Sequence, residues 1–273
     1  MDVFLNPQLT LADQAVILKY LKDRRSLSKA EWKTALAAFD LLGRSRVVQE
    51  GKSSTFSQFY QAVFDRPFAT RLLMELPALN DVEREGPLCA ERLGQQAWAQ
   101  QTAAALRKPQ TPEQFLLTAY CLYWWSSFAK GYIAEIAVFR DLTASGIRFQ
   151  SHDLAQPEGR FSQDDLTLSG MRGDIKSSAY FLNVARSHPL RHDFYITEVI
   201  TPPMRQRRRV VFMLSASWDK IDGETNATSL EEALSQLPTS SQITVREQSL
   251  IVSDYEVWKE KIRSLQQQEL NHE

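Results

Sequence analysis

Apolar residues recur at helical spacing through the first part of the chain. Leu11, Ala15 and Leu18 lie three or four residues apart, which places them on one face of a helix. Ser28 and Glu31 have the spacing of a capping box that opens a second helix. Further helices are predicted over residues 56–64, 67–76 and 82–106. The pattern therefore predicts an all-helical N-terminal region over residues 1–110.

The pattern changes after about residue 145, where short β-type runs replace the helical spacing. Five strands are predicted, over Ile147–Gln150, Asp165–Leu168, Gly173–Ser178, Phe194–Ile200 and Arg209–Leu214. Helices are predicted before and after them, over Gly131–Ala144, Leu230–Leu237 and Asp254–Leu270. This order predicts an α/β (α+β) domain over residues 111–273.

Composition narrows the class of protein without identifying it. The 273 residues are 43% hydrophobic and 24% charged, as in ordinary soluble domains. The net charge of -1 offers no overall basic excess for nucleic acid, so any such contact requires a local positive surface. Two cysteines cannot build a disulfide framework. The start of the chain lacks a secretory pattern and no apolar run reaches the length of a membrane span, so we expect a cytoplasmic protein.

A hairpin carries the candidate chemistry. Two β-type runs flank Ser169-Gly170, a dipeptide suited to a two-residue turn. With the turn placed there, Asp165 faces Asp174 across the hairpin. Directly opposed side chains share one face of a sheet, with Cβ atoms roughly 4.5–5.5 Å apart. The spacing therefore predicts two neighbouring carboxylates.

Alternation along the two strands extends this polar face. Thr167, Arg172 and Lys176 fall on the same face as Asp165 and Asp174. Neighbouring carboxylates repel each other unless a proton or a cation lies between them. Mg²⁺ accepts one or two carboxylates together with waters and phosphate oxygens. Lys176 would place an ammonium beside a metal-bound water or a phosphate, an arrangement suited to phosphodiester hydrolysis. The apolar residues Leu166, Leu168, Met171 and Ile175 fall on the other face, toward the core.

A glutamate lies on the apolar helix upstream. Glu135 shares its helical face with Tyr132, Val138 and Phe139. A helix that is apolar nearly all round is buried, and a lone buried carboxylate is costly. We therefore expect Glu135 to have a partner, which could be a metal, a lysine or arginine, or a capped backbone group.

The order of these features resembles the PD-(D/E)xK nuclease superfamily. A helix with an inward glutamate is followed by a strand, an aspartate, a short hairpin and Asp174-Ile175-Lys176. The resemblance implies a restriction-endonuclease-like mixed sheet flanked by helices, with Glu135, Asp165, Asp174 and Lys176 as the catalytic cluster. It further implies a metal held by Asp165, Asp174 and the carbonyl of Ile175, namely Mg²⁺, with Mn²⁺ as a substitute.

The match departs from the family pattern at two positions. Asp164 stands where the family has proline, which leaves open whether Asp164 or Asp165 binds metal; the hairpin register favours Asp165. The second acidic residue is aspartate, not the commoner glutamate. The resemblance covers roughly residues 130–215 and does not extend to the N-terminal region.

Arginines and histidines flank this segment. Arg205, Arg207, Arg208 and Arg209 fall in a loop that leads into a strand, where their guanidiniums could hold a nucleic-acid backbone. The alternative is a solvated loop that balances nearby acidic residues. His188 and His192 have the spacing of a metal pair, but the proline between them favours ordinary loop residues.

Three hypotheses follow. The first is a Mg²⁺-dependent endonuclease acting on nucleic acid, with DNA the expected substrate. Its helical N-terminal region would select the substrate, a partner protein or a second copy in a homodimer. The second is a non-catalytic nucleic-acid-binding or protein-binding module with a nuclease-like fold, which a pairing of Glu135 with Lys176 would favour. The third is an unrelated fold, in which Asp165 and Asp174 point into solvent far from Glu135.

Overall fold

The computed structural model describes residues 2–4, 9–23, 26–49, 51–60, 66–105, 112–154, 162–179, 181–184, 189–202, 205–222 and 225–272. The chain forms two compact units, Met1–Lys130 and Gly131–Glu273. Sequence patterns predicted a boundary at residues 110/111, which precedes a long helix, whereas the two units divide inside that helix. Among the described residues, no helix is both long and apolar enough to cross a bilayer.

The first unit contains helices and a small sheet. Its helices are α1 (Leu11–Asp23), α2 (Lys29–Gly43), α3 (Phe56–Tyr60), α4 (Arg66–Glu75) and α5 (Val82–Ala105), and α6 (Pro112–Ala144) begins here and ends in the second unit. Its strands are β1 (Asp2–Phe4), β2 (Arg46–Gln49) and β3 (Lys52–Thr55), which form an antiparallel sheet in the order β1-β2-β3.

The prediction of an all-helical N-terminal region is therefore wrong. Val47 and Val48 are β-branched and favour a strand, and Gly51 has a φ of 77°, which closes the turn into β3. The predicted capping box is confirmed. The Ser28 hydroxyl accepts the Glu31 N–H at 3.3 Å, and the Glu31 carboxylate accepts the Ser28 N–H at 2.7 Å. These two bonds satisfy N–H groups that a helix start otherwise leaves unpaired.

The second unit is built on a seven-stranded sheet in the order β4-β5-β6-β7-β8-β10-β9. Strands β6 and β7 are parallel and the other neighbouring pairs are antiparallel, so the sheet is mixed. The strands are β4 (Gln150–Ser151), β5 (Leu166–Leu168), β6 (Met171–Lys176), β7 (Phe194–Thr201), β8 (Gln206–Leu214), β9 (Ser241–Val245) and β10 (Gln248–Asp254). The helices are α7 (Phe181–Val184), α8 (Ser215–Trp218), α9 (Leu230–Ser235), α10 (Tyr255–His272) and the end of α6.

Helices cover both faces of this sheet, as predicted. On one face, the core joins Ile175 and Ile196 of the sheet to Val138 of α6 and Trp258 of α10. On the other face, Tyr195, Val210 and Phe212 pack with Leu182 of α7 and Ala233 of α9. The expectation of an α/β (α+β) domain with a mixed sheet and flanking helices is confirmed at this level.

Polar contacts fix α10 against the end of α6 and the segment that follows it. Lys259 is only 5% exposed, and its ammonium lies 2.7 Å from Asp141 on α6 and 3.0 Å from Glu256. Further along α10, the Gln266 side chain accepts the Arg148 N–H at 2.9 Å and donates to the Arg148 carbonyl at 2.6 Å. These contacts hold the end of the helix that carries Glu135 and the segment that leads from it into β4.

Candidate metal centre and active site

The hairpin β5–β6 has the predicted register. Thr167 pairs with Arg172, and the turn residues Ser169 and Gly170 have φ values of 44° and 70°. Both values lie in the left-handed region that a two-residue hairpin turn of this type requires. The apolar residues predicted to face the core do so: Leu166, Leu168, Met171 and Ile175 are all buried.

Asp165 is fixed directly before β5. Its N–H donates to the Gly173 carbonyl at 3.0 Å, and its Oδ2 accepts the Ile175 N–H at 2.6 Å. The carboxylate is therefore locked by the backbone of β6, beside Asp174. Ile175, predicted to offer its carbonyl to a metal, also contributes its N–H to the first aspartate.

Lys176 forms an ion pair with Asp174, the second aspartate of the hairpin. Its ammonium lies 2.7 Å from Oδ1 and 2.6 Å from Oδ2 of Asp174. The Asp174 side chain is 9% exposed, whereas the lysine side chain is 41% exposed. The pair therefore joins a buried carboxylate to an ammonium that can still meet a ligand from solvent.

Glu135 reaches the site from α6. Its side chain is 13% exposed, and Oε2 lies 3.2 Å from Nε2 of His152, a residue that follows β4. Nδ1 of His152 lies 3.8 Å from Oδ1 of Asp165. One ligand atom from each of Glu135, His152 and Asp165 can be chosen so that all three lie within 4.8 Å of one another. The partner expected for Glu135 is thus a histidine, within a cluster that could hold a metal.

The tautomer of His152 bears on whether a cation fits. Nδ1 lies 3.2 Å from the carbonyl oxygen of Asp164, which can only accept a hydrogen bond, so we assign a hydrogen to Nδ1. In the neutral ring, Nε2 then directs its lone pair toward Glu135. The Glu135 Oε2 atom is buried, and the contact with Nε2 has ion-pair distance without hydrogen-bond geometry. Two acceptors facing each other require a proton or a cation between them, so these residues fit a bound divalent metal.

His192 holds the loop that carries Asp164 and Asp165. The Tyr195 hydroxyl accepts the N–H groups of Arg191 and His192, so its own hydrogen is free to donate to Nδ1 of His192, 3.1 Å away. Nε2 of His192 then donates to the Gln163 carbonyl at 2.6 Å and lies 3.3 Å from Oδ1 of Asp164. The side chain of Asp164 therefore faces His192, whereas that of Asp165 joins the Glu135 cluster.

Charge crowding perturbs the site. Burial, together with the negative charges of Glu135 and Asp174, raises the pKa of Asp165 to about 8. The contact with Glu135 raises the pKa of His152 even though burial acts in the opposite direction. Both shifts favour a bound proton where a cation would otherwise neutralise the carboxylates.

The predicted arginines lie mainly on a strand. Arg205 is exposed in the turn before β8, and Arg209 lies in the strand, as predicted. Arg207 and Arg208 are also strand residues, so the loop predicted for these two is wrong. The strand extends further than predicted because Gln206 already pairs with Thr201. Arg207 lies 3.2 Å from Glu198, Arg208 lies 3.8 Å from Asp254, and Arg209 stacks over the Tyr255 ring at 5.1 Å.

Sequence patterns missed two site residues. His152 carried no motif, although its place between the glutamate helix and the aspartate hairpin was the available signal. His192 was interpreted as an ordinary loop residue, but its Nε2 lies 3.3 Å from Asp164 and its Nδ1 lies 3.7 Å from Asp174. His188 lies outside the described residues. The site thus unites Glu135, Asp165 and the Asp174–Lys176 pair with two histidines.

Comparisons with known proteins identify no relative. No family model, no curated protein and no solved structure matches this chain. Membership of the PD-(D/E)xK superfamily therefore stays a prediction from the motif.

Proposed function

We propose that this protein is a metal-dependent nuclease with a PD-(D/E)xK site on a restriction-endonuclease-like sheet. The observation that carries the proposal is the convergence of Glu135, His152 and Asp165 beside the Asp174–Lys176 pair. Three separate segments of the chain supply these groups, namely α6, the residues after β4, and the hairpin β5–β6. A convergent set of buried titratable groups with a perturbed aspartate is typical of a functional site.

Each residue has a distinct role in phosphodiester hydrolysis. A divalent cation at this cluster would polarise the phosphate and activate a water molecule. Glu135 and Asp165 supply the negative charge that attracts such a cation. The Lys176 ammonium donates to a phosphate oxygen, where negative charge grows as the water oxygen bonds to phosphorus. The bond from phosphorus to the leaving oxygen breaks. The attacking water gives up its proton to solvent, and the leaving oxygen takes up a proton from solvent.

The arginines of β8 support a nucleic-acid substrate, which we propose is DNA. The described pairs between β7 and β6 end at Thr197, and those between β8 and β10 end at Val210. Residues Glu198–Thr201 and Gln206–Arg209 therefore pair with each other beyond the end of β6. Arg207 is 75% exposed there, and its surface ion pair is weak enough to exchange for a phosphate contact.

The contacts of Glu135 weigh against the non-catalytic alternative. That hypothesis expected Glu135 to pair with Lys176 and close the metal cavity, but Glu135 contacts His152 and Lys176 contacts Asp174. The third hypothesis expected solvent-exposed aspartates far from Glu135. Their side chains are 18% and 9% exposed, and Asp165 belongs to the Glu135 cluster.

Cleavage assays with matched variants test the proposal. Plasmid and single-stranded DNA are incubated with the protein in Mg²⁺, Mn²⁺ or EDTA, and the variants are Asp174→Asn and Lys176→Ala. Lys52→Ala is the control, because Lys52 is an exposed strand lysine of the first unit. We expect metal-dependent cleavage that both site variants abolish and the control retains. Cleavage that survives in both folded site variants would contradict the proposal.

A further inference from the structure

We propose that the cluster of Glu135, His152 and Asp165 binds Mn²⁺ in preference to Mg²⁺. This metal is the cofactor of the proposed nuclease site, so its biological purpose rests on the proposed function. The binding preference itself can be measured without nuclease activity. The residues themselves carry the choice of metal, because one of the three ligands is an imidazole.

His152 has the geometry of a metal-binding histidine. Its Nδ1 lies 3.2 Å from the Asp164 carbonyl and its backbone N–H donates to the Asp165 carbonyl at 3.3 Å. These two contacts fix the ring and leave Nε2 directed at Glu135. A metal-bound histidine commonly donates its other ring N–H to a backbone carbonyl in this way, which sets the tautomer and the ring orientation.

An imidazole ligand changes the preference among divalent cations. Mg²⁺ favours oxygen ligands and retains several of its waters. First-row transition metals accept imidazole nitrogen more readily, and Mn²⁺, the first of that series, also shares the preference of Mg²⁺ for carboxylates and water, which suits a mixed set of one imidazole and two carboxylates. The side chains of His152, Glu135 and Asp165 are only 8%, 13% and 18% exposed. The three donor groups are therefore largely shielded from solvent.

The neighbouring groups are already engaged. The ammonium of Lys176 contacts both oxygens of Asp174, so this carboxylate is neutralised within the protein. Both ring nitrogens of His192 have partners, the Tyr195 hydroxyl and the Gln163 carbonyl. The cluster around His152 is therefore the better metal position than one built on Asp174 and the Ile175 carbonyl.

Direct metal binding, without nucleic acid, tests the inference. Purified protein is stripped with EDTA, dialysed and titrated with Mn²⁺ while free Mn²⁺ is followed by electron paramagnetic resonance, and Mg²⁺ is then added as competitor. We expect one Mn²⁺ site, with Mg²⁺ bound about tenfold or more weakly, because Mg²⁺ gains less from the imidazole nitrogen. The pulsed spectrum of bound Mn²⁺ should show coupling to ¹⁴N from an imidazole in the unmodified protein.

A ligand variant and a variant outside the site provide the comparison. His152→Asp makes the cluster all-oxygen, so the ratio of Mn²⁺ to Mg²⁺ affinity should fall toward one. Asp40→Asn removes an exposed carboxylate of α2 and should leave that ratio unchanged. The ratio of Mn²⁺ to Mg²⁺ affinity distinguishes a ligand from a residue that only supports the fold, because loss of structure weakens the binding of both metals together.

The outcomes distinguish this inference from the proposed function. Equal affinities for the two metals, absence of ¹⁴N coupling, or Mn²⁺ binding lost in Asp174→Asn but kept in His152→Asp would each overturn the inference. Cleavage of DNA with Mg²⁺ bound as tightly as Mn²⁺ would overturn it and leave the nuclease proposal standing. Preferential Mn²⁺ binding without cleavage would support the metal preference and overturn the nuclease proposal.

Discussion

Oε2 of Glu135 lies 3.2 Å from Nε2 of His152, and the two atoms come from segments on either side of β4. Both side chains are largely buried, and the glutamate oxygen has no well-directed hydrogen bond within the described chain. A contact of this kind needs a proton or a cation to be stable. It links the helix α6 to the aspartate hairpin and makes the two parts a single site.

The first prediction concerns the pH dependence of stability without metal. Burial and neighbouring carboxylates raise the pKa of Asp165 to about 8, against about 3.9 in an unfolded chain. A group whose pKa is higher in the folded protein contributes stability that is fully present below the pKa of the unfolded chain. That contribution is lost as the pH rises through the pKa of the folded protein. In EDTA, urea unfolding should therefore show stability that declines between about pH 4 and pH 8.

Asp165→Asn tests the origin of that decline. The amide can still accept the Ile175 N–H, but it does not ionise. We expect a smaller decline over the same pH range and a higher free energy of unfolding at pH 8 than in the unmodified protein. Asp40→Asn, at an exposed position on α2, is the control and should keep the original profile. An unchanged profile in Asp165→Asn would show that another group causes the decline.

The second prediction concerns the close packing inside the hairpin strand. A Cβ added at Gly173 would lie 2.1 Å from the ring of Phe194, which is fully buried. Gly173→Ala should therefore lower the free energy of unfolding by about 1–3 kcal/mol or more, as overpacking does. Gly131→Ala is the matched control, because the nearest atom to its Cβ is 3.8 Å away and alanine favours a helix. Denaturant unfolding of both variants decides; equal stabilities would contradict the packing argument.

The third prediction concerns the buried lysine of α10. Lys259→Met leaves Asp141 without its ammonium partner at 2.7 Å. Because Asp141 is partly exposed, we expect a loss at the lower end for such pairs, about 2–3 kcal/mol. Lys261→Met removes a more exposed lysine that pairs with Asp222 and should change stability by less than about 1 kcal/mol. Thermal or urea unfolding that ranks the two variants in the opposite order would refute this role for Lys259.

The fourth prediction concerns the arginines of β8. Arg207→Ala/Arg208→Ala should weaken binding of duplex DNA to a protein that also carries Lys176→Ala, a substitution we expect to prevent cleavage. If both contact phosphates, the slope of log affinity against log salt should fall by about 2. Arg44→Ala/Arg246→Asn removes the same charge from exposed positions elsewhere and should leave the slope unchanged. Fluorescence anisotropy at several salt concentrations measures the affinity and its salt dependence. If the slope is the same with and without the two β8 substitutions, β8 does not contact DNA phosphates.

The hairpin β5–β6 could be predicted from the sequence because its signals are local. The Ser169-Gly170 turn fixed the register, and alternation from Leu166 to Lys176 assigned the two faces. Glu135 could be identified as a buried carboxylate that needs a partner. The identity of that partner depends on how the chain returns after α6, and no short-range pattern places His152 there.

Other parts of the fold had weak local signals. The hairpin β9–β10 turns at Arg246, which has a φ of 58°. Glycine and asparagine are the usual residues at such a position, so the sequence carries no turn signal there. In the first unit, the short strand pair β2–β3 lies between two helices and offers few alternating positions. His192 was missed because its role depends on Tyr195 and Gln163, contacts that only tertiary structure creates.

The most direct test of the central claim is the metal-dependent cleavage of plasmid DNA by Glu135→Gln. This substitution keeps the size of the side chain and removes the charge that links α6 to the aspartate hairpin. If the residues form one metal-dependent active site, cleavage in Mn²⁺ or Mg²⁺ should fall by about a hundredfold or more in a folded variant, as expected for loss of a metal ligand. Cleavage equal to that of the unmodified protein would contradict the account, because the nuclease site would then lie elsewhere.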